Sequence, residues 1–220
     1  MYRCFVIIFV KFDKANYRSA PKVAFALNID DNIIEADETV KVNKSPITFD
    51  DLRCGERYDA NLEIENWLEI DFDDSSWNNA IISSCPNGEK RITNIEPIVV
   101  EKEVKPVRLF KSGKGYIYDF GINSAGIIKL SIDGKKNQRI KLLHGEIVKE
   151  GKLDLTNIVF KGANEEYSQC IIYICKEGRQ VYTPSFTYMG FQYVYVEGIE
   201  ENQANEKLLT MLVMHSDIKR

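Results

Sequence analysis

Glu166-Tyr-Ser-Gln-Cys-Ile-Ile-Tyr-Ile-Cys175 is the stretch that decides the fold class. In an extended chain Tyr167, Gln169, Ile171, Tyr173 and Cys175 share one face, and Ser168, Cys170, Ile172 and Ile174 share the other. Its β-branched and aromatic residues suit a pleated surface, so it reads as a strand. Outward from it the same grammar recurs in Tyr116 to Phe120, Gly126 to Ile132, Arg139 to Val148 and Phe191 to Val196. Asp133-Gly134 and Glu150-Gly151 separate successive runs, the first as a tight hairpin turn. Two stacked sheets accommodate such runs best, as a β-sandwich.

Toward the N-terminus the pattern continues. Lys22 to Ile29 alternates Val23, Phe25, Leu27 and Ile29 with smaller or polar residues and stops at Asp30-Asp31-Asn32. Short polar side chains there bond their own backbone and make a turn, which leaves Ile33 to Val42 as the hairpin partner. Residues 44 to 95 are broken by Pro46, Gly55, Asp73-Asp74-Ser75-Ser76 and Pro86-Asn87-Gly88, as loops over a β scaffold are. Ile98 to Val104, opened by Glu96-Pro97 and interrupted at Pro106, reads as a strand passing from a first domain to a second. Domains are therefore expected at 1–95 and 96–200, with 201–220 as a tail. In that tail Asn202 to Leu212 offers the helical prospect, and Val213 to His215 suits a strand equally.

With 44% apolar and 28% charged residues, the 220-residue chain has the balance of a folded protein. Its 29 basic and 33 acidic residues give a net charge of -4, without the basic excess that phosphate backbones demand, so nucleic acid is not an expected partner. The five cysteines, Cys4, Cys54, Cys85, Cys170 and Cys175, are irregularly spaced with no C-x-x-C, which favours free thiols in a reducing compartment. The apolar run Phe5 to Val10 is far shorter than the roughly 20 residues of a membrane helix and is followed by no small-x-small cleavage site. It reads as a strand, and a cytoplasmic protein with no membrane association is expected.

Candidate chemistry is sparse. His144 and Glu146 lie two apart, on one face of a strand, as two metal ligands would, but a third ligand is missing and the other histidine, His215, is distant. No metal and no cofactor are therefore expected. Asp71 to Ser76 opens like a calcium loop, yet Ser76 occupies the position that needs glycine, so a polar turn before Trp77 is the better reading. Asp119 sits among the aromatics of Tyr116 to Phe120, where burial raises a carboxyl pKa, and Glu146 is its only evident companion for glycoside hydrolysis. Nothing in the spacing brings the two together. No G-x-S-x-G and no phosphate-binding glycine loop is present. Trp67 and Trp77 are candidate stacking platforms for a sugar ring. The substrate-binding candidates are thus Trp67, Trp77, Asp119, His144 and Glu146, with no catalytic residue assigned.

Five phrases in order resemble the non-catalytic β domains of bacterial α-L-rhamnosidases, glycoside hydrolase family 78. They are Asp51-Leu-Arg-Cys-Gly-Glu-Arg-Tyr-Asp-Ala60, Phe72-Asp-Asp-Ser-Ser-Trp77, Tyr118-Asp-Phe-Gly-Ile-Asn-Ser-Ala-Gly126, Leu143-His-Gly-Glu146 and Tyr182-Thr-Pro-Ser-Phe-Thr-Tyr-Met-Gly-Phe-Gln-Tyr193. The resembling run extends from about Pro21 to His215. Asn61 and Gln192 stand where the family has arginine, Ile122 where it has glutamine, and Met189 where it has histidine.

The resemblance implies an all-β chain of two jelly-roll-like β-sandwich domains, the first truncated, with a short C-terminal helix or strand. In the family, inverting hydrolysis of terminal rhamnose occurs at two acids of a following (α/α)6 barrel, and Met214-His-Ser-Asp217 resembles the phrase just before it. The implied role is scaffolding and orientation of that barrel. A free-standing binding module for rhamnose-containing glycans is the alternative, and a face made to dock on a barrel would also favour a self-dimer.

Overall fold

The computed structural model describes residues 23–84, 95–159 and 168–218. Contacts divide the chain into two compact units, Met1–Ser45 with Glu63–Thr93, and Pro46–Leu62 with Asn94–Arg220. The first unit opens with β1 (Ala26–Ile29), β2 (Asn32–Glu35) and β3 (Lys41–Val42), and the second begins with β4 (Ile47–Asp51) and β5 (Gly55–Asp59). β6 (Asn78–Asn79) returns to the first unit, and β7 (Ile98–Val104), β8 (Arg108–Ser112) and β9 (Gly115–Gly134) resume the second. There follow β10 (Arg139–Gly145), β11 (Ile147–Lys149), β12 (Lys152–Asp154), β13 (Cys170–Ile174), β14 (Gly178–Tyr182), β15 (Met189–Glu197) and β16 (Leu209–Ser216). No α-helix occurs among the described residues, and no described helix is long and apolar enough to cross a membrane.

In the first unit, β1 and β2 form the hairpin that the alternation predicts, joined at Asp30 and Asp31, both with positive φ. That pair of left-handed residues is the mirror-image turn whose twist matches its strands. β3 pairs with β6, and the Asp73 carboxylate accepts a hydrogen bond from the Ser75 backbone N–H at 2.9 Å, so the calcium-like stretch is a polar turn leading into Trp77.

The second unit holds the core. Its main sheet runs β4-β5-β13-β10-β15-β9-β16-β7, with β8 and β14 also pairing with β9. The 20-residue β9 organises it. Its first part lies between β8 and β15, Gly126 to Leu130 pairs with β16, and Leu130 to Gly134 pairs with β14. Tyr118, Phe120, Leu130, Leu142, Phe191 and Met211 are all at most 1% exposed along these strands, each contributing roughly 1.5–3 kcal/mol of burial.

Several local readings change in three dimensions. Tyr116 to Phe120 and Gly126 to Ile132 are one strand, because the intervening Ser124 to Gly126 pairs with Phe191 to Met189. The tight hairpin turn is at Glu150-Gly151, φ 49° and 72°, joining β11 to β12. Asp133-Gly134 instead ends β9 opposite Arg179 and Gly178 of β14. The tail is a single 3-10 turn, Glu201–Gln203, followed by β16, a central strand in which Leu209 and Met211 are fully buried. Of the stretch that decided the fold class, Cys170–Ile174 is the strand, while Glu166 and Tyr167 lie outside the described residues.

Candidate functional site

The phrase Asp51 to Ala60 forms a turn and a strand. Gly55 has φ 105°, and a Cβ there would lie 2.2 Å from the Cys170 carbonyl oxygen, so only glycine lets β5 run parallel beside β13. That approach buries Glu56 completely. Its carboxylate accepts hydrogen bonds from the Tyr182 hydroxyl at 2.6 Å and the Ser185 backbone N–H at 3.0 Å. Burial pushes its pKa up, against the pull of those donors. Asp50 is its direct cross-strand partner, and burial, then Glu56 and Asp51, push the Asp50 carboxyl up to about 6. Tyr58, Tyr173 and Tyr182 stack around this acid, with ring centroids 4.6 to 5.7 Å apart. Glu56 is the buried acid that sequence reasoning missed, and its only signal was a carboxylate directly after a glycine.

Asp119 is 6% exposed and committed to the fold. Its carboxylate accepts from the Gly121 N–H at 2.8 Å, Gln192 Nε2 at 3.0 Å and Arg108 Nε at 3.2 Å. Arg108 is also its cross-strand partner on β8. By register Asp119 shares a face with Tyr193, whereas His144 shares a face with Val194 and Tyr118. Those faces are opposite.

His144 is fully buried, edge-on to Phe191 at 4.8 Å, with Nδ1 2.9 Å from the Gln169 carbonyl oxygen. Burial depresses its pKa to about 4, so the ring is neutral at physiological pH. Glu146 is half-buried between two amides: Asn123 Nδ2 donates to Oε1 at 3.2 Å and Asn157 Nδ2 to Oε2 at 2.8 Å. Among the described residues no group of three His, Cys, Asp or Glu side chains is placed to hold a metal ion. In the other unit Trp77 is half-buried and edge-on to Phe72 at 5.6 Å, and Trp67 is half-buried as well. The five candidates therefore do not converge on one site.

Three of the four positions that depart from the family phrases serve the fold. Asn61 bridges the Asp59 carboxylate and the Cys175 carbonyl oxygen, at 2.8 and 3.1 Å. Gln192 bridges Asp119 and the Tyr193 hydroxyl, each at 3.0 Å. Met189 is buried beneath Gly55, and Ile122 is 38% exposed.

Comparison with known proteins places these features. Residues 5–108 match the alpha-L-rhamnosidase N-terminal domain, and residues 110–215 match the bacterial alpha-L-rhamnosidase concanavalin-like domain. The first match begins at residue 5, ahead of Pro21, near which the resembling run was expected to start. An alpha-L-rhamnosidase of Formosa agariphila is 31% identical over 180 residues, which are 81% of this chain and 19% of that protein. The structure of alpha-L-rhamnosidase from Dictyoglumus thermophilum superposes with a TM-score of 0.75 at 34% identity, covering 86% of this chain and 21% of that one. The Streptomyces avermitilis alpha-L-rhamnosidase complexed with L-rhamnose gives a TM-score of 0.77 at 25% identity, covering 84% and 18%. The chain spans about a fifth of the length of the relatives it matches.

Proposed function

Because the chain belongs to the bacterial α-L-rhamnosidase family and corresponds to its non-catalytic β domains, we propose that it supports and orients a catalytic domain that acts on rhamnose-containing glycans. One observation carries this reading: the buried acids of the second unit are spent on the fold. Glycoside hydrolysis needs two carboxyl groups about 5 to 9.5 Å apart across a sugar. Here Glu56 and Asp119 are both buried and saturated by donors from their own sheet. Such groups make a stiff platform. A stiff sheet is useful to a partner domain because it holds that domain's reacting groups without further loss of conformational freedom.

The test uses the Formosa relative. The 220-residue chain alone is expected to show no turnover of an aryl rhamnoside. Exchanging it for the matching domains of the relative should preserve hydrolysis, while deleting those domains should abolish activity or lower the Tm. Turnover by the isolated chain, or a deletion that leaves activity and Tm unchanged, would overturn the reading.

A reducing, cytoplasmic location belongs to the same proposal. It is supported by Cys54 and Cys175, both free thiols. Cell fractionation with thiol labelling should recover the chain in the cytosol with these cysteines reduced, and recovery outside the cytoplasmic membrane would count against it.

A further inference from the structure

Gly190 lies inside β15, yet no described residue crowds the place of a side chain there. Gly55, Gly115, Gly126 and Gly198 are each met by a backbone carbonyl oxygen 2.0 to 2.2 Å from where a Cβ would stand. At Gly190 the nearest atom to such a Cβ is Glu146 Oε1, at 3.5 Å, an ordinary contact, and its φ is not in the left-handed region. A strand glycine marks a bulge or a place where a ligand or another backbone comes close; the bulge of β15 lies further along, between Phe191 and Tyr193, and leaves Gly190 itself in register with Ala125.

The surroundings of that bare backbone are chemically specific. Ala125 is its cross-strand partner on β9, so two of the smallest residues lie side by side. From Phe186 to Phe191 burial alternates: Thr187, Met189 and Phe191 are buried, while Phe186 and Tyr188 are 42% and 45% exposed. Tyr188 therefore stands on the same face as Gly190, one residue pair away. Asn123, two residues before Ala125, holds one oxygen of Glu146 from this side, and Asn157 holds the other. A carboxylate held between two amides thus borders a floor with almost no side chain, and an exposed aromatic ring stands two positions before that floor's glycine.

We propose that Tyr188, Gly190, Ala125 and the Asn123–Glu146–Asn157 group form a subsite for a single pyranose ring. The apolar face of the ring packs against Tyr188 over the bare backbone of Gly190, as sugars and other amphipathic groups do on exposed aromatics. Its hydroxyls donate to Glu146 and accept from the two amides, whose donors the carboxylate already orients. Asp119 and His144 take no part. The subsite does not depend on the supporting role proposed above.

The experiment is an amide-shift NMR titration of the 220-residue chain with methyl pyranosides of the L-rhamno, D-manno and D-gluco series. At least one is expected to give saturable shifts at Asn123, Ala125, Glu146, Asn157, Tyr188 and Gly190, with a Kd of about 1 mM. Gly190→Val fills the space, and a Cβ there meets no backbone, so the fold should persist while affinity falls about tenfold or more. Tyr188→Ala, at an exposed position, should cause a similar loss and decides the matter if the valine variant fails to fold. Absence of saturable shifts with every sugar at about ten times that Kd, shifts that map elsewhere, or binding unchanged by Tyr188→Ala would overturn the proposal.

Discussion

Glu56→Ala should destabilise the chain by about 3–5 kcal/mol, the loss expected when one member of a buried, charge-assisted network is removed. Truncation leaves the buried Tyr182 hydroxyl without its acceptor, frees the Ser185 N–H and opens a hole beside the stacked tyrosines. It also releases the sheet from the loop after β14. Glu56→Gln keeps the shape and one good acceptor and should cost about 1–2 kcal/mol. Tyr182→Phe removes one hydrogen bond to a charged group and should cost about 1.5–3 kcal/mol. Urea unfolding of the three variants checks the order. A loss below about 1 kcal/mol for Glu56→Ala would show that the acid is not what ties these segments together.

Acidification should destabilise the fold between pH 6.5 and 4, and His144 should be the cause. Burial depresses its folded pKa to about 4 from the ordinary 6.5 of a histidine, so in that window the unfolded chain binds the extra proton. The stability it contributes is complete above pH 6.5 and is lost as pH falls toward 4, by about 3 kcal/mol at most. Asp50 acts with the opposite sign. Its carboxyl is raised to about 6, so the folded chain binds the proton, and stability from this group is lost as pH rises from about 4 to 6. Asp50 is only half-buried, and solvent screening makes its effect the smaller one. The raised Glu56 carboxyl works in the same direction as Asp50. His144→Gln should therefore abolish or reverse the acid loss, whereas Asp50→Asn should steepen it. Chemical denaturation across this range reads the slopes directly. An unchanged slope in both variants would remove these residues from the account.

Elements carried by local pattern were the legible ones. The turn at Asp30-Asp31 follows from short polar side chains that tolerate positive φ. Ile98–Val104 appears with the bounds read from the sequence, because Pro97 precedes it and Pro106 follows shortly after. Where a long-range partner competes with a local signal, the partner prevails. Gly121 to Gly126 carries turn-like residues and Gly121 does adopt a left-handed φ of 71°, yet β9 runs through because Ser124 to Gly126 pairs with β15. The helical prospect at Asn202 to Leu212 yields to β16, since Leu209 and Met211 bury completely only between β9 and β7.

The candidate site was legible in part. Glu146 and the phrase around Gly190 could be singled out, but their adjacency could not, because it depends on register across β10, β15 and β9. Asn157 carried no signal of its own, and Tyr188 entered only as part of the phrase Tyr182 to Tyr193. His144 and Asp119 were each a candidate beside Glu146, and pairing puts the two on opposite faces.

By itself the sequence determined that this chain is all-β, lacks the charge for nucleic acid and carries the phrases of the rhamnosidase β domains. Composition, period-2 alternation and short motifs are local properties that survive without a fold. Tertiary structure alone decided which acids are consumed by the sheet, where Glu56 is anchored and which side of β15 is left bare. Those depend on parallel pairing, register and burial between residues more than a hundred positions apart, such as Glu56 and Tyr182. No pattern of neighbours along the chain encodes such distances.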